Sequence, residues 1–247
     1  KIFCTDHAFS CIKWTGQIVT WGEARAGGDS RRVQSELTGD ILQMYSAASG
    51  AFAALLKVGS VVTWGHAESG GDSRGVRPDL AQGVKQIYST KGAFAAVKDI
   101  GSVVTWGGAS YGGDSRHVQN ELAGGIQQIF STSNAFFAMK NDGAFCIWGR
   151  ANFEYGMSDV YNGLTGGIKQ ICSGGHVYTA RFGRQTMMNS CEGTFAALTN
   201  GGSVVMWGNA CRAGRVPVDL ASGVQQIYFT ILGDFAALKN DGTVLAW

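Results

Sequence analysis

Few residues in this chain have types and spacing that could carry chemistry. The 247 residues include four histidines, and His7, His66, His117 and His176 do not share a metal-ligand spacing. The six cysteines contain no Cys-x-x-Cys pair of the kind that zinc sites use. There is no nucleophile elbow and no phosphate-binding loop. The sequence therefore predicts no catalytic residue, no metal and no cofactor, and it favours a protein that is not an enzyme.

The composition indicates a folded protein with many tight turns. Hydrophobic residues make up 45% of the chain, which also has 37 glycines and 2 prolines. Glycine at this density, without the collagen period, is typical of short strands joined by turns. The formal net charge of +2 is too small to indicate a nucleic-acid partner. No run of apolar residues is long enough to predict a transmembrane helix.

A unit of roughly 42 residues occurs six times along the chain. Its most visible mark is a tryptophan, followed by glycine in every unit except the last, at Trp21, Trp64, Trp106, Trp148, Trp207 and Trp247. The intervals between these tryptophans are 43, 42, 42, 59 and 40 residues. A Gln-Ile pair or a close variant, and then a Phe-Ala-Ala segment or a variant of it, precede the later tryptophans. Such a period predicts stacked or radially arranged copies of one structural unit.

Each unit is predicted to contain short antiparallel strands. In the third unit these are Lys85–Ser89, Ala93–Val97 and Ser102–Trp106, which are rich in β-branched and aromatic residues. Asn/Asp-Gly pairs such as Asp142-Gly143 supply the positive φ angles of tight hairpins. We also expect a short fourth edge strand, near Val118–Leu122 in the third unit. The pattern predicts an all-β propeller of six or seven four-stranded blades, formed as a single domain by residues 1–247, with the tryptophans packed between adjacent blades.

A Gly-Gly-Asp-Ser-Arg motif follows the tryptophan in each of the first three units, at Gly27–Arg31, Gly70–Arg74 and Gly112–Arg116. One hypothesis is a partner-binding arc, formed by Arg31, Arg74 and Arg116, that faces an acidic partner. The alternative is turn architecture, in which each aspartate bonds nearby backbone amides and pairs with its arginine, as Asp29, Asp72 and Asp114 would do.

The fifth unit carries an insertion between its first and second strands, at about residues 174–193. Loops on rigid scaffolds often carry function, and insertions in one repeat often mark the binding face. Side chains of types common in protein interfaces occur within it: His176, Tyr178, Arg181, Phe182, Arg184, Met187 and Met188. The alternative is a tolerated surface insertion. The sequence does not decide whether Cys172 and Cys191 form a disulfide.

The repeat Gly-Val-x-Gln-Ile-Tyr … Phe-Ala-Ala-Leu-Lys-x-Asp-Gly-x-Val-x-x-Trp resembles that of the regulator of chromosome condensation family, most closely over Val224–Trp247. It is also similar to the bacterial propeller that inhibits β-lactamase. The resemblance covers essentially the whole chain and implies a propeller, usually of seven blades. Members act as a guanine-nucleotide exchange factor, an enzyme inhibitor, a photoreceptor or a substrate-recruiting module, so the fold does not choose the function.

These observations predict a non-catalytic structural or interaction subunit of a larger assembly, which binds protein partners through one propeller face and the insertion. Three alternatives stay open: an exchange-factor-like regulator of a small GTPase, a proteinaceous enzyme inhibitor, and an enzyme whose site is assembled from several blades. Repeats this nearly identical are similar to those of single-celled photosynthetic eukaryotes. That similarity leads to the hypothesis of an intracellular, organellar protein at the periphery of a plastid membrane complex.

Overall fold

A computed structural model describes residues 1–38, 40–150, 157–174, 181–182, 185–186, 194–208, 218–230 and 234–247. The chain forms two compact units, residues 1–150 and residues 151–247, which are described separately. Within the described residues there are six three-stranded antiparallel sheets and one two-stranded sheet. The all-β prediction is therefore confirmed.

The first unit contains four of the three-stranded sheets, each ordered as its strands follow in the chain. Their strands are β1 Ile2–Cys4, β2 Ala8–Ile12 and β3 Ile18–Gly22; β4 Ile41–Ala47, β5 Ala51–Leu56 and β6 Val61–Gly65; β7 Val84–Ser89, β8 Ala93–Lys98 and β9 Val103–Gly107; and β10 Ile126–Ser131, β11 Ala135–Lys140 and β12 Phe145–Gly149. The strands predicted for the third repeat are thus confirmed to within one residue.

A connection joins the third strand of each sheet in the first unit to the next sheet. We call residues 23–40, 66–83 and 108–125 the first, second and third connections. They contain short 3-10 helices at Ala24–Ala26, Arg31–Val33, Glu36–Thr38, Ala67–Ser69, Arg74–Val76, Ala109–Tyr111, Arg116–Val118 and Glu121–Ala123.

The second unit contains two three-stranded sheets, β13-β16-β17 and β18-β19-β20, and the two-stranded sheet β14-β15. Its elements are helix α1 Met157–Leu164, β13 Ile168–Gly174, β14 Arg181–Phe182, β15 Gln185–Thr186, β16 Thr194–Thr199, β17 Val204–Gly208, a 3-10 helix at Val218–Leu220, β18 Val224–Phe229, β19 Phe235–Lys239 and β20 Val244–Ala246. In the described part of the chain, no helix has the length and apolar character needed to cross a membrane.

The predicted fourth strand near Val118–Leu122 is wrong, because two 3-10 helices occupy that part of the third connection. Val118 and Leu122 are both buried, and a spacing of four residues places two side chains on one face of a helical turn. Side chains hold this connection to β9 where a fourth strand would form a backbone ladder. The hydroxyl of Thr105 lies 2.9 Å from that of Ser115 and donates to the carbonyl of Gly113 at 3.1 Å. In the described residues, three-stranded sheets are therefore found where four-stranded blades were expected.

The turns between second and third strands have one recurring geometry. In the fourth sheet the amide of Gly143 donates to the carbonyl of Lys140, and the amide of Lys140 donates to the carbonyl of Ala144. Gly143 has φ +84°, as predicted, whereas no non-glycine residue in the described ranges has a positive φ. The turn is a type I turn followed by a left-handed glycine. Asp142 supports it by accepting a 2.9 Å hydrogen bond from the amide of Ala144.

Tryptophans of the first unit pack between neighbouring sheets, as predicted. Trp64 stacks on Phe52 of its own sheet, with ring centroids 5.4 Å apart, and is buried. Its indole N–H donates a 3.1 Å hydrogen bond to the carbonyl of Gly27 in the preceding connection. Trp21 stacks on Phe9 of its own sheet, and it is 42% exposed.

The sheets of the first unit have two distinct ends. At one end, the short loops between first and second strands are joined by backbone hydrogen bonds, from Asp6 to Ala48, from Ser49 to Lys91 and from Lys91 to Ser133. We call this the loop end. The turns between second and third strands lie at the opposite end of every sheet, which we call the hairpin end.

Candidate functional site

The three motif arginines are held by their own motif. Each arginine forms a bidentate ion pair with the aspartate two residues before it, and the pairs are Arg31–Asp29, Arg74–Asp72 and Arg116–Asp114. The Nη2–Oδ2 distances are 2.6, 2.6 and 2.5 Å, respectively. The backbone amide of each arginine also donates a hydrogen bond to the same carboxylate. The arginine side-chain hydrogen bond, aided by the backbone one, lowers the pKa of each aspartate to about 2. The turn-architecture interpretation is thereby confirmed for these copies.

The two glycines of the motif serve packing between sheets. Gly27 has φ +96°, and a Cβ there would lie 2.5 Å from the ring of Phe52. A Cβ at Gly28 would lie 2.5 Å from the carbonyl oxygen of Gly22. Ser30 is buried, with its hydroxyl 3.2 Å from that of Thr20. The motif therefore fixes the connection against the sheets and leaves its arginine at the surface.

A groove lies between the first two connections and has a volume of about 720 Å³. We call it the arginine groove. One wall is the first connection and the other is the second, while β6 forms the floor. Its charged and apolar lining residues are Arg25, Asp29, Arg32, Val33, Glu36, Val61, Val62, Trp64, Asp72, Arg74 and Arg77.

The charges in the arginine groove are unevenly paired. Arg77 forms a 2.9 Å ion pair with Glu36 across the groove, so the two walls are bridged. Arg74 is paired within its own wall, as described above. Arg25 and Arg32 lie on the 3-10 helices of the first wall and are exposed. Neither forms an ion pair or a side-chain hydrogen bond with any residue that the structure describes.

The corresponding groove between the second and third connections has a volume of about 630 Å³. Its cationic lining residues, Lys98 and Arg116, are both engaged. Lys98 donates a 2.6 Å hydrogen bond to the carbonyl of Asp79, and Arg116 is paired with Asp114. Glu68 and Gly75 do not line this groove but a separate surface cavity of about 700 Å³, together with Asp72 and Arg74.

Sequence reasoning missed Arg25 and Arg32, because they are not part of the repeated motif. The equivalent positions in the second connection are Glu68 and Gly75. The available signal was this departure from the repeat. A site that is present in only one repeat depends on residues at which that repeat differs from the others.

A row of apolar side chains is exposed at the hairpin end of the first unit. Trp14 is 98% exposed, Val58 77% and Ile100 78%. Val58 and Ile100 directly precede the turn glycine, where the fourth sheet has Asp142. Exposed large apolar residues at successive turns form a potential contact surface. Sequence analysis did not single them out, because exposure cannot be read from an apolar residue beside a turn.

The insertion lies between β13 and β16, the first and second strands of their sheet, as predicted. Its described part is a pair of two-residue strands, in which Arg181 is opposite Thr186 and Phe182 is opposite Gln185. The remaining predicted contact residues lie outside the described residues: His176, Tyr178, Arg184, Met187 and Met188. Cys172 is a buried free thiol, and Cys191 also lies outside the described residues.

Titratable groups that could serve catalysis are dispersed. His7, His66 and His117 are exposed, and the Nδ1 of His66 lies 2.9 Å from the hydroxyl of Ser69. The described ranges contain no group of three or more His, Cys, Asp or Glu residues that could hold a metal ion. Burial raises the pKa of the Cys146 thiol to about 12, which disfavours the nucleophilic thiolate. Cys146 packs in the core of the first unit as a small apolar residue.

Comparison with solved structures identifies the fold. Prp20p from Saccharomyces cerevisiae is 14% identical with a TM-score of 0.50, covering 100% of this chain and 71% of Prp20p. Human WBSCR16 is 15% identical with a TM-score of 0.52, covering 100% of this chain and 76% of that one. A second yeast structure, named RCC1 (Prp20) and bound to Kap60, is 13% identical with a TM-score of 0.48, covering 100% and 69%. The similarities to Prp20p and to WBSCR16 support an RCC1-like β-propeller fold.

No protein-family model matches the chain, and no curated protein sequence matches it. Identity near 15% carries information on the fold and none on the activity.

Proposed function

We propose that this protein is a non-catalytic interaction subunit, which binds other proteins within a larger assembly. The observation that carries the proposal is the exposed apolar row at the hairpin end, formed by Trp14, Val58 and Ile100. Tryptophan is among the residues that contribute most to binding when it is buried at an interface. A sheet scaffold with an exposed apolar row is suited to contact rather than to chemistry.

The turns themselves show that this apolar row has a local cost. In the fourth and sixth sheets, an aspartate precedes the turn glycine and accepts a 2.9 Å hydrogen bond from the second amide after it, from Ala144 to Asp142 and from Thr243 to Asp241. Val58 and Ile100 cannot make this bond. Apolar residues that forgo this hydrogen bond at two successive turns are expected at a functional surface.

The insertion is a second proposed binding surface, which lies between the first and second strands of its sheet, at the end opposite to the turn between the second and third strands. Per-repeat insertions in repeat proteins map to one face, often the face that binds. We propose that His176, Tyr178, Arg181, Phe182, Arg184, Met187 and Met188 contact a partner from this segment, which begins where the first-to-second-strand loops of other repeats lie.

The arc of Arg31, Arg74 and Arg116 contributes less than its charge suggests. Each guanidinium already has a carboxylate partner within its motif. An acidic partner would therefore have to compete with a local ion pair at every position. We retain the arc as a rim of the interface, where exposed charges influence association rate more than affinity.

The regulatory and inhibitory alternatives are supported by the fold alone. The structure of Prp20p is described together with its binding properties to Gsp1p and histones, a property of that protein. A role in a plastid membrane complex is a hypothesis that rests on the similarity of the repeats. One interaction function is therefore proposed, and its partner is to be identified directly.

The test is affinity purification of the tagged protein from its native source, followed by mass spectrometry of the intact complex. Recovery with a defined, stoichiometric set of subunits is expected and would also identify the compartment. Recovery as a free monomer would contradict the proposal. Accelerated nucleotide release when the protein is mixed with a panel of nucleotide-loaded small GTPases would favour the exchange-factor alternative.

A further inference from the structure

We propose that the arginine groove is a docking site for an acidic peptide segment of a partner protein, held chiefly by Arg25 and Arg32. The inference rests on the proposed role in protein binding and adds a surface that is distinct from the hairpin end and from the insertion. The occupant is identified by its chemistry: carboxylate side chains on an extended peptide, interspersed with small apolar residues.

The groove has the dimensions of a binding cleft. Its volume of about 720 Å³ lies within the range of roughly 300–1,000 Å³ that ligand clefts have. Both walls are short 3-10 segments held by the Gly-Gly-Asp-Ser-Arg motif, so the cleft is preformed and binding would require little ordering of the protein. A 2.9 Å ion pair between Arg77 and Glu36 bridges the two walls.

The unpaired charge in the groove selects an acidic occupant. Of the four lining arginines, Arg74 and Arg77 form ion pairs with carboxylates, whereas Arg25 and Arg32 form none with the described residues. The charge of Arg32 helps to lower the pKa of Asp29, whose carboxylate is already bound by Arg31. A guanidinium group offers its donors in a planar fork that matches a carboxylate, and such bonds are stronger than those between neutral groups. Two unpaired guanidinium groups on one wall can therefore hold two carboxylates of one peptide.

The neighbouring groove provides an internal comparison. It is built on the same repeat, yet its cations Lys98 and Arg116 are both engaged. The second connection has Glu68 and Gly75 at the positions of Arg25 and Arg32. The backbone repeat is shared, so the side chains alone account for the difference in unpaired charge.

The rest of the lining favours a peptide over a nucleic acid. Val33 and Val61 are half-buried and offer an apolar surface to small side chains. Trp64 is the one aromatic residue that lines the groove in the described structure, and it is buried, so no exposed ring is available to stack on a base. The formal net charge of +2 is also too small for a general polyanion binder.

The loss-of-binding test replaces the two arginines by residues that occupy the equivalent positions in other repeats. A fluorescein-labelled peptide of alternating glutamate and valine is titrated with the wild type and with Arg25→Ser/Arg32→Gly, which introduces the residues of Ser110 and Gly75 from sister connections. Lys13→Ser/Lys85→Ser removes the same charge from exposed sites outside the groove. We expect the groove variant to bind about tenfold more weakly and the control to bind as the wild type does.

The gain-of-binding test places the same pair of arginines on the second connection, where Glu68 and Gly75 line a surface cavity of about 700 Å³. Glu68→Arg/Gly75→Arg places arginines at the equivalent positions, where Gly75 is in open space. We expect the stoichiometry of peptide binding to rise from one to two. Added salt should weaken peptide binding to the wild type.

Three results would overturn the proposal: no peptide binding by the wild type, equal affinity of the wild type and Arg25→Ser/Arg32→Gly, or tighter binding of a single-stranded oligothymidylate than of the peptide. These experiments use the isolated protein. If they fail while the native assembly is still recovered, the groove assignment alone is lost and the interaction function stands.

Discussion

The indole N–H of Trp106 donates a 3.0 Å hydrogen bond to the carbonyl of Gly70, which lies in the connection before its sheet. The same relationship joins Trp64 to Gly27 and Trp148 to Gly112. Each tryptophan thereby links the connection of one repeat to the sheet of the next. The contact between repeats thus combines a buried aromatic ring with a directed hydrogen bond, which explains why tryptophan recurs at this position.

Trp106→Ala is expected to destabilise the protein by about 3–5 kcal/mol, because it removes a large buried ring and leaves the Gly70 carbonyl without its donor. The measurement is the free energy of unfolding in urea. Trp21→Ala is the matched control, since Trp21 stacks on a phenylalanine in the same way but is 42% exposed. Equal losses in the two variants would show that burial between repeats does not matter.

Gly70→Ala is expected to be strongly destabilising. Gly70 has φ +99°, and its Cβ would lie 2.6 Å from the ring of Phe94. The left-handed backbone alone costs a non-glycine residue about 1–2 kcal/mol, and the steric clash adds to this. Gly75→Ala, five residues later in the same connection, meets no atom within 4 Å and should leave the stability nearly unchanged. Thermal unfolding of the two variants side by side tests this, and a similar melting temperature for both would refute the packing role of Gly70.

The repeat made much of the fold predictable, since strands, turn glycines and tryptophans recur in copy after copy. The fourth strand was predicted wrongly, because residues four apart, such as Val118 and Leu122, share one face of a strand as well as one face of a helical turn, so their spacing does not separate the two structures. Arg25 and Arg32 could not be predicted, because the structure alone shows that they line a groove without partners. A repeat pattern reports what copies share, whereas these candidate sites depend on where one copy differs.

Arg74→Ala is expected to raise the pKa of Asp72 from about 2 towards its ordinary value of about 3.9. The native state holds this carboxyl ionised more strongly than the unfolded chain does. The ion pair therefore favours folding above about pH 4, and the contribution is lost as the pH falls through about 2. Carbon-detected NMR titration of the Asp72 carboxyl measures the shift, with Asp114 in the same variant as the control. A pKa for Asp72 that does not change in Arg74→Ala would refute the role of the ion pair.

Val58→Asp/Ile100→Asp is expected to abolish partner recovery while keeping the fold. Aspartate at these positions reproduces the turn of the fourth sheet, in which Asp142 accepts a hydrogen bond from the amide of Ala144. The variant should therefore be at least as stable as the wild type, although it lacks two exposed apolar side chains. Lys57→Asn, which introduces the residue of Asn141 beside Val58, is the control.

Purification of both hairpin-end variants from the native source provides the measurement. Undiminished recovery of partner subunits with Val58→Asp/Ile100→Asp would exclude the hairpin end as the interface. Loss of recovery with Lys57→Asn as well would indicate that any change in the turn is disruptive.

Replacement of residues 174–193 by the tripeptide Thr-Ser-Asn is expected to remove the second proposed binding surface. This is the loop that joins β10 and β11 in the fourth sheet, at residues 132–134, so the shortened sheet has a natural template. Strands β13 and β16 are paired from Ile168–Thr199 onward and should remain so. The thermal unfolding temperature should therefore change little, while affinity for the partner should fall. Unchanged affinity in a folded variant would assign the interaction to the hairpin end and the arginine groove, and it would identify the insertion as a tolerated surface element.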